Sequence, residues 1–280
     1  MSMNKLQKNL DPATVRSFGD EWSRFDQSSL SDDEARKIFA EYFSLFPWAA
    51  LPIDASGYDM GCGSGRWARF VAPKVGRLHC IDPSPALETA RKTLSSHLNV
   101  TFHHASVDEK PLPSNSQDFG YSLGVLHHVP DTAGAICSCI ELLKPGAPFL
   151  IYLYYAFDNR STLYRLTWRC SDLLRRGICR LPPVLKHAIT NTLALAIYYP
   201  LARISRGAET LGLNVNNIPL SYYRKHSFYT MRTDSRDRFG TPLERRFTKN
   251  EIYTMLTLAG LRDLRFSENA PYWCAVGYKA

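Results

Sequence analysis

Apolar and polar positions follow two patterns that alternate along the chain, one typical of strands and one typical of helices, and together they predict an α/β protein. Short apolar runs, bounded by polar or turn-forming residues, have the length of strands. Five of these runs lie at 57–60, 77–82, 99–104, 118–124 and 148–155. Helical spacing occurs between them, at 65–73 and 132–143. Strands that alternate with helices predict a parallel sheet covered on both faces.

The two ends of the chain show further helical patterns. Near the N-terminus, the aromatic segment 18–25 precedes an amphipathic stretch at 31–46. Near the C-terminus, Thr248 and Glu251 form a capping-box pattern ahead of an apolar stripe, and Gly260 follows as a stop signal. Two more strands are expected near 262–267 and 273–278.

Residues 156–245 are too long for a connecting loop, because connections between elements usually run to about 4–6 residues. We expect an inserted structure with helices at about 161–177 and 184–211, followed by an aromatic and basic segment at 222–232. It leaves the fifth strand at its carboxyl end, where ligands of such sheets bind. The insertion should therefore cover the substrate site.

A glycine-rich turn follows the first predicted strand. Gly61, Gly63 and Gly65 can take positive φ values and allow a ligand to approach the backbone. Asp82 ends the next strand about 20 positions later, where an acid can accept from a ribose diol. Alone, such a turn is a weak signal that a tight structural turn would also explain. Its spacing is not the Gly-x-Gly-x-x-Gly of dinucleotide folds, and no P-loop lysine follows.

Five motifs together resemble the class I S-adenosylmethionine (SAM) dependent methyltransferases, in particular the subgroup similar to ubiquinone and menaquinone biosynthetic enzymes. The motifs lie at 58–67, 81–84, 111–118, 124–131 and 142–146. The resemblance covers about 50–155 well and 245–280 loosely. It implies a Rossmann-like seven-stranded sheet with helices on both faces, an antiparallel last strand and a largely helical insertion between the fifth strand and the last helix. The implied division is an N-terminal helical cap at 1–50, a SAM-binding core at 51–155, a substrate lid at 156–245 and the end of the core at 246–280.

The resemblance also implies which residues hold SAM. Asp59 and the glycines would line its methionine end, and Asp82 would accept from both ribose hydroxyls. Ser106 stands where many relatives carry an acid near the adenine. The full expected set is Asp59, Gly61, Cys62, Gly63, Gly65, Asp82, Pro83, Ser106, Val107 and Gly124.

Three histidines are candidate catalytic bases for an acceptor that must lose a proton. His127 and His128 follow the fourth strand, and His226 lies in the insertion. A structural role in capping a turn is the alternative for the first two. The expected substrate-binding residues are Trp22, Tyr222, Tyr223, Arg224 and Tyr229. Four arginines form either an anion clamp or a solvated basic surface: Arg224, Arg232, Arg236 and Arg238.

Composition and charge indicate the kind of partner and the cellular compartment. The net charge of +8 suggests an anionic partner, and seven cysteines without paired spacing are typical of a reducing, cytoplasmic compartment. No metal site, signal peptide or membrane-spanning segment is expected. The sequence gives no indication of oligomeric state.

The expected function is methyl transfer to O, N or S of a small or medium, anionic organic acceptor. Residues 122–125 replace the Asp/Asn-Pro-Pro-Tyr/Phe element of the nucleic-acid adenine and cytosine amino-methyltransferases, which argues against that class. Two alternatives stay open: an RNA-modifying methyltransferase, and a protein that binds SAM without catalysis.

Overall fold

Seven strands form one sheet in the computed structural model, which describes residues 9–25, 27, 29–215 and 217–280. Residues 1–8 of the predicted N-terminal cap lie outside the described residues. The strands are β1 (Ser56–Met60), β2 (Arg77–Ile81), β3 (Val100–His103), β4 (Phe119–Leu123), β5 (Pro148–Tyr152), β6 (Leu261–Phe266) and β7 (Cys274–Lys279). Their order is β3-β2-β1-β4-β5-β7-β6, and β7 runs antiparallel to both of its neighbours. This confirms the predicted fold class.

The centre of the sheet is buried on both faces, as the continuous apolar runs predict. Every residue of β4 is buried, and one hydrophobic cluster lies against each face. Large side chains lie beside glycines in the register: Phe119 pairs with Gly57, and Gly120 pairs with Tyr58. The rings fill the space that the glycines leave open.

Ten helices surround the sheet and build the insertion within the described part of the chain. They are α1 (Pro12–Arg24), α2 (Asp32–Tyr42), α3 (Ala68–Val71), α4 (Ala86–Thr93), α5 (Thr132–Leu142), α6 (Thr162–Ile178), α7 (Pro183–Leu193), α8 (Tyr199–Thr210), α9 (Phe228–Gly240) and α10 (Lys249–Leu258). A π-helical turn at Ala194–Tyr198 joins α7 to α8, so the second predicted insertion helix is nearly continuous. The capping box of Thr248 and Glu251 is present at α10.

Three helical segments differ from the sequence expectation. The aromatic segment 18–25 forms the end of α1 and its C-cap Phe25, and this helix begins at Pro12 after the N-cap Asp11. The helix expected over 65–73 shrinks to α3 and a 3₁₀ turn, because the glycine turn extends to Gly65 and Pro73 interrupts the far end. A further helix, α9, begins within the aromatic and basic segment and continues to Gly240; the sequence pattern did not predict it.

Polar contacts attach the insertion to the N-terminal helices. The Arg236 guanidinium on α9 is fully buried and lies 2.8 Å from the Asp20 carboxylate on α1. Glu34 on α2 accepts hydrogen bonds from the Ser227 backbone and the Thr230 hydroxyl, both at 2.8 Å, where α9 begins. Breaking one partner of a buried ion pair is costly, so these contacts fix α9 in position.

Gly120→Ala tests the ring-against-glycine packing of the central strands. A Cβ at this position would overlap the Tyr58 ring, so we expect the free energy of unfolding to fall by about 1–3 kcal/mol. Gly207→Ala in α8 is the control, because its Cβ meets no atom within 4 Å, and it should stabilise by about 0.5–1 kcal/mol. Chemical denaturation measures both. Equal stability of the two variants would contradict the packing argument.

Candidate active site

The site lies where the chain leaves two neighbouring strands in opposite directions. From β1 it continues to β2 on one side, and from β4 it continues to β5 on the other. Such a divergence opens a crevice beyond the carboxyl ends of the strands. A cavity of about 720 Å³ occupies this place. Its walls come from the sheet, from α1 and from the insertion, which forms the predicted roof.

Asp82 fixes the shape of the glycine turn. One carboxylate oxygen accepts from the Gly63 N–H, and the other accepts from the Ser84 N–H, both at 2.8 Å. These bonds hold the turn against the end of β2. Burial raises the pKa of Asp82, while the bonds from Ser84 and Gly63 act in the opposite direction. The side chain lines the cavity, and the Ser84 hydroxyl also donates to it at 2.6 Å. A carboxylate accepts about four hydrogen bonds, so one acceptor position remains for a ligand hydroxyl, and a second becomes available if a ligand displaces the Ser84 hydroxyl.

The glycines allow the turn to form, and Gly124 leaves open space beside it, whereas a Cβ on Gly61 would overlap Val125 and one on Gly65 would lie 3.1 Å from Leu94. Gly61, Gly63 and Gly65 have φ values of 81°, 52° and 79°. Gly124 has a φ of 78°, and a Cβ there would meet no atom within 4 Å. A Cβ on Gly63 would lie 3.3 Å from Trp22 Nε1, so the indole on α1 covers the turn. The space between β1, β4 and α1 therefore fits a nucleoside cofactor.

Eight of the ten residues expected to bind the cofactor line this one cavity: Gly61, Cys62, Gly63, Asp82, Pro83, Ser106, Val107 and Gly124. Asp59 and Gly65 lie behind its wall. Burial raises the pKa of Asp59 to about 8, and its Oδ2 lacks a hydrogen-bond partner among the described residues. The Ser106 hydroxyl donates to Asp108 at 2.7 Å.

The three candidate histidines have different surroundings. The His128 ring lines the cavity, and its Nδ1 lies 2.6 Å from the Leu243 carbonyl oxygen. A carbonyl only accepts, so Nδ1 carries the proton. Burial lowers the pKa of His128, and the neutral ring then has a lone pair on Nε2, which lies 3.9 Å from Asp237 Oδ1. This tautomer is the one a general base requires.

His127 and His226 lie outside the cavity wall. His127 is fully buried, stacks on the Tyr154 ring at 3.8 Å and has a pKa well below the ordinary value because of burial. Its Nδ1 accepts from the Tyr154 N–H at 3.4 Å. His226 Nδ1 donates to the Tyr222 carbonyl at 2.9 Å. Both histidines support neighbouring backbone in this arrangement.

Sequence reasoning missed the acids of the cavity. Glu21, Asp234 and Asp237 line it, and the Tyr154 hydroxyl donates to Asp237. Burial raises the pKa of Asp234 to about 6. The spacing of three between the two aspartates puts them one turn apart on α9, and recognising that helix would have identified them together.

The residues expected to bind substrate are mostly gathered at the same place. Trp22, Tyr222, Tyr223 and Arg224 line the cavity, whereas Tyr229 does not, and its hydroxyl accepts from the Gln27 N–H at 3.0 Å.

All four candidate clamp arginines already have partners. Arg224 contacts Glu209 at 2.8 Å, Arg232 contacts Asn191 at 3.0 Å, Arg236 contacts Asp20 at 2.8 Å and Arg238 contacts Glu244 at 2.5 Å.

Comparison with known proteins agrees with this geometry. Residues 58–151 match the family model described as a methyltransferase domain. The chain is 35% identical over 159 residues to a ubiquinone biosynthesis O-methyltransferase of Aromatoleum aromaticum, covering 56% of this chain and 66% of the relative. The same-named protein of Serratia proteamaculans is 31% identical over 39% of this chain and 45% of its own. The chain thus spans less than two thirds of the length of these relatives.

A solved structure shares the fold over nearly the whole chain. An O-methyltransferase family protein from Burkholderia thailandensis superposes with a TM-score of 0.53 at 15% identity, covering 95% of this chain and 59% of that one. The matched domain contains the glycine turn, Asp82, Gly124 and His128, which meet at the cavity. Residues 58–151 therefore form a methyltransferase domain, and over this region the chain is similar to the class I SAM-dependent methyltransferases of the ubiquinone biosynthetic subgroup.

Proposed function

We propose that the protein transfers a methyl group from SAM to O, N or S of a small or medium organic acceptor, and that a hydroxyl acceptor suits the site best. The observation that carries this proposal is the neutral His128, whose ring lines the same cavity as the glycine turn and whose buried Nε2 has no hydrogen-bond partner among the described residues. A base next to the cofactor site serves an acceptor that loses a proton as it is methylated.

The core residues bind and orient the cofactor in this proposal. When bound, SAM supplies a methyl group on a positively charged sulfur. Asp82 accepts from the ribose hydroxyls, and the glycine turn allows close contact with the backbone. Trp22 covers the turn and excludes water from that side. Asp59, one residue before the end of β1, supports the turn from behind.

Proton removal is assigned to His128. Its Nδ1–H bond to Leu243 fixes the ring, and Nε2 takes the acceptor proton. The Asp237 carboxylate at 3.9 Å from Nε2 stabilises the imidazolium that forms. Tyr154 donates to Asp237 and orients it. His127, stacked beneath Tyr154, holds this group in place.

The lining of the cavity supports an acceptor with an aromatic or apolar body. Aromatic side chains from α2, from β5 and the segment after it, and from the insertion contribute to the walls, including Tyr42, Tyr152, Tyr155, Trp168 and Tyr198. The anionic acceptor expected from the net charge has less support, because the clamp arginines are paired. The relatives named for O-methyl transfer agree with a hydroxyl acceptor.

The proposal also covers the roles of the four segments of the chain and the location of the protein in the cell. We assign cofactor binding to residues 51–155 and acceptor binding to the lid at 156–245, with 1–50 as a cap and 246–280 completing the core. We also place the protein in the cytoplasm, which the seven free cysteines support. Among the described residues, no helix is long and apolar enough to cross a membrane.

Asp82→Ala should weaken SAM binding by about 1.5–3 kcal/mol, because it removes hydrogen bonds to a charged acceptor. Isothermal titration with SAM or S-adenosylhomocysteine measures this. Asp54→Ala, which removes an exposed carboxylate outside the cavity, is the control and should bind normally. Unchanged affinity in Asp82→Ala would remove this residue from the cofactor site.

His128→Gln should lower kcat by about 10²–10⁴-fold while leaving SAM affinity intact. Burial lowers the pKa of His128 below its usual 6.5, so the base stays neutral as pH falls through 6.5. The wild-type rate should therefore decline only at a pH below 6.5, where His128 becomes protonated. The pH–rate profile of the variant should not show this acidic decline. His97→Gln is the control outside the cavity. An unaltered pH–rate profile in His128→Gln would contradict the assignment of the base.

Tyr223→Phe tests acceptor binding by the lid. The Tyr223 hydroxyl hydrogen-bonds to Asp234, and its loss leaves a buried carboxylate without this donor. We expect kcat/KM for a hydroxylated aromatic acceptor to fall by about tenfold, with the Kd for SAM unchanged. Tyr229→Phe, outside the cavity, is the matched control. SAM binding with no product from any acceptor in the wild type would instead indicate a protein that binds SAM without catalysis.

A further inference from the structure

Helix α6 presents three different faces. Tyr164, Thr167, Trp168 and Ser171 line the cavity. At about 100° per residue, an adjacent arc of about 100° carries four leucines. They are Leu163, Leu166, Leu173 and Leu174, and each is more than half exposed. We call this arc the leucine stripe. An exposed apolar stripe on a helix beside a cavity is a docking face rather than a core face.

A row of basic side chains borders the leucine stripe on the side away from the cavity. Arg165, Arg169 and Arg176 are exposed and fall within an arc of about 40°. Between residues 159 and 208 the only acid in the sequence is Asp172, which is buried and paired with Arg175 and Arg176. Residues 156–245 contain 15 lysines and arginines against six acids, so the insertion carries the positive excess of the chain.

The nearly continuous helix from α7 to α8 also has exposed apolar side chains. Leu195, Ile197, Tyr199 and Ile204 are exposed on the π-helical turn and α8. Of the 17 large apolar side chains that are exposed among the described residues, 13 lie in the insertion. The surface apolar area is therefore concentrated on one part of the protein.

The apolar surface continues into the cavity. Leu174 of α6 and Ile197 of the π-helical turn are exposed, and both also line the cavity. They form an apolar rim that connects the leucine stripe to the acceptor end of the site. A ligand with an apolar body can cross this rim without leaving an apolar environment.

We propose that the insertion docks on the surface of an anionic lipid bilayer, with the leucine stripe in the interface and the arginine row against the headgroups. A basic amphipathic helix with exposed leucines has the composition that binds membranes in this way. Anionic lipids complement a face that has no exposed acid on α6. Docking leaves the rim facing the bilayer. If the proposed function is correct, the acceptor enters from the lipid.

Vesicle sedimentation of the full chain tests the proposal. The protein should sediment with vesicles of phosphatidylcholine containing phosphatidylglycerol and much less with phosphatidylcholine alone. The bound fraction should fall when salt rises from about 0.1 M to about 1 M, since the screening length drops from about 10 Å to about 3 Å. Equal binding to both kinds of vesicle would overturn the proposal.

Two pairs of substitutions separate the stripe from the arginine row. Leu166→Gln with Leu173→Gln should lower vesicle affinity at least about tenfold, because two exposed leucines lose their apolar burial. The control pair Leu98→Gln with Leu258→Gln also removes exposed leucines, but away from the insertion, and should bind like the wild type. Equal losses in the two pairs would show that the leucine stripe has no special role.

Arg165→Gln with Arg169→Gln should lower vesicle affinity about fivefold for each arginine. Arg262→Gln with Arg265→Gln removes the same charge from exposed positions on β6 and should change binding little. If this face binds RNA instead, the arginine pair will weaken RNA binding and the leucine pair will not. If it binds a second copy, light scattering will show a dimer that the leucine pair dissociates. Either result without vesicle binding overturns the proposal.

SAM titration on the same variants keeps the two proposals apart. None of the eight substituted residues lines the cavity, so all four double variants should bind SAM like the wild type. Normal SAM binding without vesicle binding defeats the membrane proposal alone. Vesicle binding without any SAM binding in the wild type defeats the proposed function alone.

Discussion

The divergence of the chain from β1 and β4 is the constraint on which the site depends. The two strands are parallel neighbours, yet their connections leave to opposite sides, so neither connection fills the space beyond their ends. The glycine turn after β1 and the segment after β4 then face each other across this space. Asp82 at the end of the next strand locks the turn by accepting from Gly63 and Ser84. The strand order thus sets the position of the site, and side chains such as Asp82 set its detailed shape.

The insertion closes the cavity at the cost of burying charge. Arg238 and Arg246 both contact the Glu244 carboxylate, whose side chain is only 2% exposed, and Arg236 is buried against Asp20. A desolvated charge without a counter-ion is costly, so these ion pairs hold the insertion in place. That cost explains why a strongly basic lid presents few free cations to the cavity. The free positive charge lies on the outer face of the insertion, beside the exposed leucines.

Inner and outer faces of the lid therefore have different chemistry on the same helices. On α6, residues that line the cavity alternate at helical spacing with leucines that face outwards. Because a helix exposes its faces at fixed angles, a substitution on one face leaves the other nearly unchanged. Access to the cavity and binding within it can accordingly vary independently, with Leu174 and Ile197 at the boundary between them.

The sequence alone determined the sheet, the glycine turn with Asp82 and the insertion, and it named eight residues that line one cavity, because strand periodicity, turn chemistry and residue spacing are local properties. It did not determine which of three histidines faces the cavity. That depends on the carbonyl of Leu243, more than a hundred residues away from His128, which fixes the ring. Nor did it identify Glu21, Asp234 and Asp237 as cavity acids, or the arginines as internal partners of carboxylates. Burial and pairing are set by long-range packing between α1, α9 and the sheet, so only the tertiary structure decided them.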